Sequence, residues 1–185
     1  MALKMTAELN KIFDTCKLDT LDPKTSAMIA LAVHLVSDHA SGAAESAKQA
    51  HSHGVTAEQL HRVACLCACT AGARVQDLHF RATKDLPGMS GSEKGSAQQL
   101  EAKAFHACSS KSLDKKTTHL VALAACLASS CECARGHIID ARNAGATPSE
   151  LARTACIASC IGGLQYKYAF LAHLTSVEHC SACVC

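Results

Sequence analysis

Tryptophan is absent from this chain of 185 residues, and the other aromatics are few: two Tyr and four Phe. That shortage argues against an aromatic-filled sandwich. The apolar mass is mostly Ala, Leu and Cys, small side chains that suit closely packed helices. An excess of charge is missing as well. Eighteen Lys and Arg face sixteen Asp and Glu, a net +2. No long basic run accompanies stackable aromatics, so neither nucleic acid nor another polyanion is an expected partner. Nor does any segment reach the roughly 18 uncharged apolar residues of a membrane span. The opening MALKMTAELNKIF carries charges where a signal peptide would be continuously apolar. The expectation is a cytoplasmic protein with no membrane partner.

Cysteine, by contrast, is abundant: thirteen, an odd count. Cys16, Cys65, Cys67, Cys69, Cys108, Cys126, Cys156 and Cys160 fall inside helical patterns rather than at loop positions suited to a disulfide framework. They are expected to pack as small buried hydrophobes.

The pattern of the chain is helical throughout. Residues 4 to 17 place Met5, Leu9, Ile12, Phe13 and Cys16 at helical spacing. Asp22 is a good N-cap with Pro23 in the first turn, and SAMIALAVHLVS, apolar all round, predicts the buried centre of a bundle. From Asp38 the chain turns polar up to Gly54, a helix stop. The T-x-x-Q box from Thr56 to Gln59 opens a long helix that runs through Arg74 to about Ala82. TKDLPGMSGSEKGS gathers Pro, Gly and Ser without periodicity and is the clear linker.

Beyond the linker the pattern restarts. Leu21, Asp22, Lys24, Thr25, Ala30, Leu31, Ala32 and Ser37 recur 92 positions later as Leu113, Asp114, Lys116, Thr117, Ala122, Leu123, Ala124 and Ser129. Ala50, Gly54, Thr56, Leu60, Arg62, Cys65, Cys69 and Gly72 recur 91 positions later, from Ala141 to Gly163. This predicts an internal duplication, with one residue fewer between Ser129 and Ala141 in the second copy. The expected division is 1–84 for the first unit, 85–97 for the linker and 98–185 for the second. Cys65 and Cys69 coincide with Cys156 and Cys160, matched positions that packing explains better than redox chemistry.

The second copy holds the candidate chemistry. Cys131 and Cys133 sit where two helical patterns join, and His137 lies four residues beyond Cys133. An imidazole and a thiol so spaced share one helix face. A thiol in the first turn of a helix has its charged form favoured by unpaired amides. Two cysteines one residue apart on a regular helix point nearly 200 degrees apart, so a disulfide between them requires Cys131 to lie outside the helix.

L-D-x-K-T, an Ala-rich helix, a Cys pair, three residues, His, then A-G-A-T-x-x-E resembles the alkylhydroperoxidase AhpD and carboxymuconolactone decarboxylase superfamily. The resemblance implies an all-α helical bundle, here of two AhpD-like repeats, in a homo-oligomer, a trimer or hexamer. It implies reduction of a peroxide substrate at a Cys pair worked by a downstream His and an upstream Glu. A dithiol reductant, such as a lipoylated or thioredoxin-like protein, then reopens the disulfide, with no cofactor. Carried over by position, Cys131 and Cys133 fall on the pair and His137 on the imidazole. The spacing is C-x-C where the family has C-x-x-C, His119 stands where the Glu is usual, and Glu132 is the stand-in carboxylate. In the first half His39, Gly42 and Ser46 take the places of Cys, Cys and His, and Ala27 that of the Glu, which predicts a silent copy.

The tail His179, Cys180, Cys183, Cys185 supplies four soft ligands, enough in number for zinc or copper(I); a disordered tail or a redox exchange arm fits the residues equally. His34, His106 and His173 are expected in the core or at its boundary, His51 and His53 at a helix end, and His61 and His79 toward solvent. Two rival functions remain open at this point: an acid–base enzyme like the carboxymuconolactone decarboxylase branch, and a Cys-rich metal-binding or scaffold protein.

Overall fold

The structure is a computed structural model that describes residues 20–83 (backbone alone for 73–83), 104, 105, 107, 112–131 and 133–162. The expected helix at 4–17, the linker, Glu132, the tail ligands His179, Cys180, Cys183 and Cys185, and Cys16, Cys108, His106 and His173 lie outside the described residues.

The described residues are helical, with no strand among them. Six helices follow in order: α1 (Pro23–Val36), α2 (Ala40–Ser52), α3 (Ala57–Thr83), α4 (Lys115–Ser129), α5 (Ala134–Asn143) and α6 (Pro148–Gly162). Among the described residues no helix is long and apolar enough to cross a membrane.

Each boundary has a local cause, and the causes come in pairs. The Asp22 carboxylate accepts the Thr25 N–H at 2.9 Å and opens α1. Asp114 accepts the Thr117 N–H at 2.9 Å and the Thr117 hydroxyl at 2.6 Å and opens α4. Burial works against both charges, but the cap hydrogen bonds hold both carboxyls below the usual range. After α1 the chain reverses through Asp38, and after α4 through Ser130, both left-handed with φ of 54°. His39 N–H then reaches back to His34 O at 3.0 Å, and Cys131 N–H to Cys126 O at 2.9 Å, the six-to-one bond of a Schellman reversal. Gly54 and Gly145 make the next reversals with φ of 81° and 91°, a conformation glycine adopts at little cost. Reciprocal capping boxes join Thr56 to Gln59 and Thr147 to Glu150.

Helices α1 and α4 form the centre. They pack on each other and on α6; α1 also contacts α2 and α3, and α4 contacts α3 and α5. Helix α4 is buried without a break from Leu120 to Ser129, as its uniformly apolar sequence requires. A cleft of about 340 Å³ opens where the first turns of α1 and α4 meet. Its lining falls into six pairs: Leu21 and Leu113, Asp22 and Asp114, Lys24 and Lys116, Thr25 and Thr117, Met28 and Leu120, Gln59 and Glu150. Within it Lys116 meets Glu150 at 2.7 Å.

The expectation that the helical cysteines are all core residues needs correction. Cys67, Cys126 and Cys156 are buried, but Cys65 and Cys69 are half-buried and Cys160 is exposed. On α3 the buried stripe is Val63, Leu66, Cys67 and Thr70. That i, i+3, i+4, i+7 spacing puts positions 65 and 69 at its edge. His34 is half-buried, at the boundary, while His51, His53 and His61 face solvent.

Candidate thiol and histidine site

Three sulfurs meet at the end of α4. Because Ser130 turns left-handed, α4 ends there, and Cys131 leaves the helix and folds back over Cys126. Cys133 follows as the N-cap of α5, and its N–H points at Cys131 Sγ at 3.5 Å. Cys131 thus lies outside both helices, which removes the opposed orientation of a C-x-C pair on one helix. Hydrogen bonds from the Cys126 and Cys133 thiols, then the Cys133 N–H and the charge interaction with His137, favour the Cys131 thiolate against the cost of burial. They bring its pKa from 9.0 to about 3. Cys131 is buried and Cys133 half-buried.

The imidazole stands where the spacing predicts. The backbone His137 N–H bonds to Cys133 O at 3.2 Å, one turn into α5, and the ring interacts electrostatically with Cys131. His119 projects from α4 and brings its Nδ1 to 3.3 Å from His137 Nδ1. Asp140, three residues after His137, holds Oδ2 at 3.9 Å from His119 Nδ1. Phe105 lies against both rings, with centroids 5.6 Å from His119 and 4.9 Å from His137. Burial, and after it the neighbouring His119, push His137 down from 6.5 to about 4, so the ring is neutral at ordinary pH; Asp140 and Cys131 pull weakly the other way.

Of the residues expected at the site, Cys131, Cys133, His137 and His119 come together, and Glu132 lies outside the described residues. The sequence reading missed three participants. Cys126 was legible in principle, since a Schellman reversal returns residue i+5 to residue i. Asp140 was legible at i+3 from His137 on one helix face. Phe105 arrives from a distant stretch, and no local signal points to it.

The first half builds the corresponding place differently. His34 Nδ1 lies 3.0 Å from His39 Nδ1, with ring centroids 4.9 Å apart. Ser41 Oγ sits 3.3 Å from His39 Nε2. No thiol lies at the positions of Cys126, Cys131 or Cys133.

The geometry so far defines an all-helical unit that presents clustered thiols beside a histidine pair. The model of the carboxymuconolactone decarboxylase family matches residues 96–173, the part of the chain that holds this site. The chain matches no curated protein and no solved structure.

Proposed function

We propose that the chain is a thiol-dependent peroxidase or disulfide reductase of the AhpD type, acting through Cys131 and Cys133 with His137 beside them. The observation that carries this reading is the environment of Cys131: neighbouring thiols and the Cys133 N–H favour its charged form, and a second sulfur stands two residues on. In the proposed step the Cys131 thiolate attacks the peroxide ROOH, the O–O bond breaks, and one proton taken up releases ROH and leaves a sulfenic acid. A second thiol then displaces water and forms a disulfide. A dithiol partner, lipoylated or thioredoxin-like, returns the pair to thiols and is itself oxidised. Burial of Cys131 restricts the oxidant to small peroxides, and half-buried Cys133 is the sulfur that a partner meets first.

The paired boundaries and the paired lining of the cleft support a further part of this reading: the chain is two copies of one unit, of which the first is silent. Cytoplasmic location and a trimeric or hexameric assembly accompany it.

One observation favours a second reading. His119, His137 and Asp140 each bring one polar atom within 4.8 Å of the others, a cluster able to pass a proton without sulfur, as acid–base chemistry of the decarboxylase kind would use. The deciding experiment exposes reduced protein to hydrogen peroxide and maps disulfides by peptide mass spectrometry. Cys131 is expected in a disulfide with Cys133 or Cys126, and Cys131→Ser should abolish both peroxide consumption and the bridge. Thiols that ignore peroxide would overturn the redox reading and leave the acid–base or scaffold function.

A further inference from the structure

We propose that His119, His137 and Asp140 form a binding site for one divalent transition-metal ion of the zinc type, through Nδ1, Nδ1 and Oδ2. One ligand atom from each of the three residues lies within 4.8 Å of the others. Zinc holds imidazole nitrogen at about 2.0–2.1 Å in a tetrahedral shell, which places two such nitrogens roughly 3.3 Å apart. The two Nδ1 atoms stand at 3.3 Å. The same nitrogen of each ring faces the other: with a proton on one Nδ1 the contact is a hydrogen bond, and with both protons on Nε2 the two Nδ1 lone pairs converge where a cation can take them. The carboxylate oxygen is 3.9 Å from His119 Nδ1, a few tenths of an ångström outside the tetrahedral edge, and Asp140 is 53% exposed and so able to close the gap.

The set is two imidazoles and one carboxylate. These borderline-to-hard ligands suit zinc, cobalt(II) or iron(II) and leave a coordination position open for water or substrate. Phe105 covers both rings and shields the nitrogens from bulk water on that side. The ligands come from α4 and α5, whose relative position is set by the buried packing of Leu120 to Ser129 against Ile138 and Ala141. The site is therefore held by the core rather than by a loop. Binding itself needs none of the sulfur chemistry. If the thiol function proposed above is also correct, an ion on His137 Nδ1 leaves the ring proton on Nε2, so the imidazole ceases to act as a base. Metal occupancy then silences the thiols.

Cobalt(II) titration of the reduced full-length chain, followed by absorption spectroscopy under anaerobic conditions, tests this directly. The expected signal is the d–d band set of a four-coordinate nitrogen and oxygen site, separable from any cysteine binding by the absence of thiolate-to-cobalt charge transfer. Asp140→Asn, at an exposed position that leaves the fold intact, should weaken that signal at least about tenfold, and His119→Ala should remove it. Zinc should displace the cobalt. A d–d spectrum unchanged in Asp140→Asn, or one that always carries thiolate charge transfer, overturns the site. Neither readout involves peroxide, so its failure is distinct from failure of the thiol reading.

Discussion

The turn after α1 and the turn after α4 share a backbone plan and hold different chemistry. Both pass through a left-handed residue, Asp38 or Ser130, and both close with a six-to-one hydrogen bond. On the first, that bond brings together His34 and His39; on the second, Cys126 and Cys131. The Cβ that Gly42 lacks would fall 2.4 Å from the His34 ring, so glycine there makes room for the imidazole pair. At the matching position the second turn has Cys133, whose N–H faces sulfur. The backbone decides that the two side chains meet, and the residue types decide whether the meeting stabilises a charge. Burial and its partner His39 lower the pKa of His34, which favours the neutral His34 ring. The same pairing at Cys131 favours a thiolate.

A second contrast separates two buried thiols. Cys67, facing the Ala32 carbonyl at 3.7 Å, is pushed up from 9.0 to about 12 by burial, with the nearby Cys69 adding to the shift. Cys131 moves the opposite way, to about 3. Burial alone makes an inert thiol; burial with hydrogen-bond donors aimed at sulfur makes a charged one.

The largest effect expected from this contrast is in a titration of thiolate ultraviolet absorbance. A depressed pKa means that the Cys131 charge is present above about pH 3 and lost as pH falls through that value. One thiolate should therefore persist in mildly acidic buffer and vanish in Cys131→Ser, whereas Cys67→Ser should leave that signal unchanged. Persistence of the signal in Cys131→Ser would break the comparison.

Next in size is packing. Met28 and Leu120 occupy matching positions and are 1% and 0% exposed. Each substitution to Ala should cost about 2–5 kcal/mol in urea unfolding. A much smaller loss for Met28→Ala would show the first region to be the looser of the two.

Smaller still are the caps. Asp22→Ala and Asp114→Ala should each cost about 1 kcal/mol. The two should cost alike, because each carboxylate is held by both the backbone and the side chain of its threonine, Thr25 or Thr117. Clearly unequal losses in thermal unfolding would break that equivalence.

The smallest effect is expected for Gly42→Ala. The added methyl displaces the His34 and His39 rings, both of which have solvent to move into, and the helix gains some propensity, so stability should shift by less than about 1 kcal/mol. The His34 pKa should rise toward its ordinary value once burial and His39 are relieved, which an NMR titration reads. An unmoved titration would mean that the ring contact does not set it.

Much of the frame was legible in the residues. Asp22 with Pro23, the Thr56 and Gln59 box, Gly54, and the recurrence of Asp22, Thr56 and Gly54 some ninety positions on are local signals, and local signals report helix ends faithfully. His137 one turn from Cys133 was equally readable, because a helix fixes that geometry without help from the rest of the chain. The helical cysteines read less well: a periodic pattern names a stripe, but only the packing of α3 showed that Cys67 is buried while Cys65 and Cys69 lie at its edge.

By itself, then, the sequence determined the helices, their caps, the stop at Gly54 and which half carries the thiols, since each depends on neighbours within about one turn. Tertiary structure alone decided that His119 faces His137 across α4 and α5, that Phe105 covers both rings, and that the hydrogen bonds at Cys131 outweigh its burial. The contacts among Phe105, His119 and His137 join residues from 14 to 32 positions apart. Burial and hydrogen-bond direction, the two quantities that separate a reactive thiol from an inert one, exist only after the helices have packed.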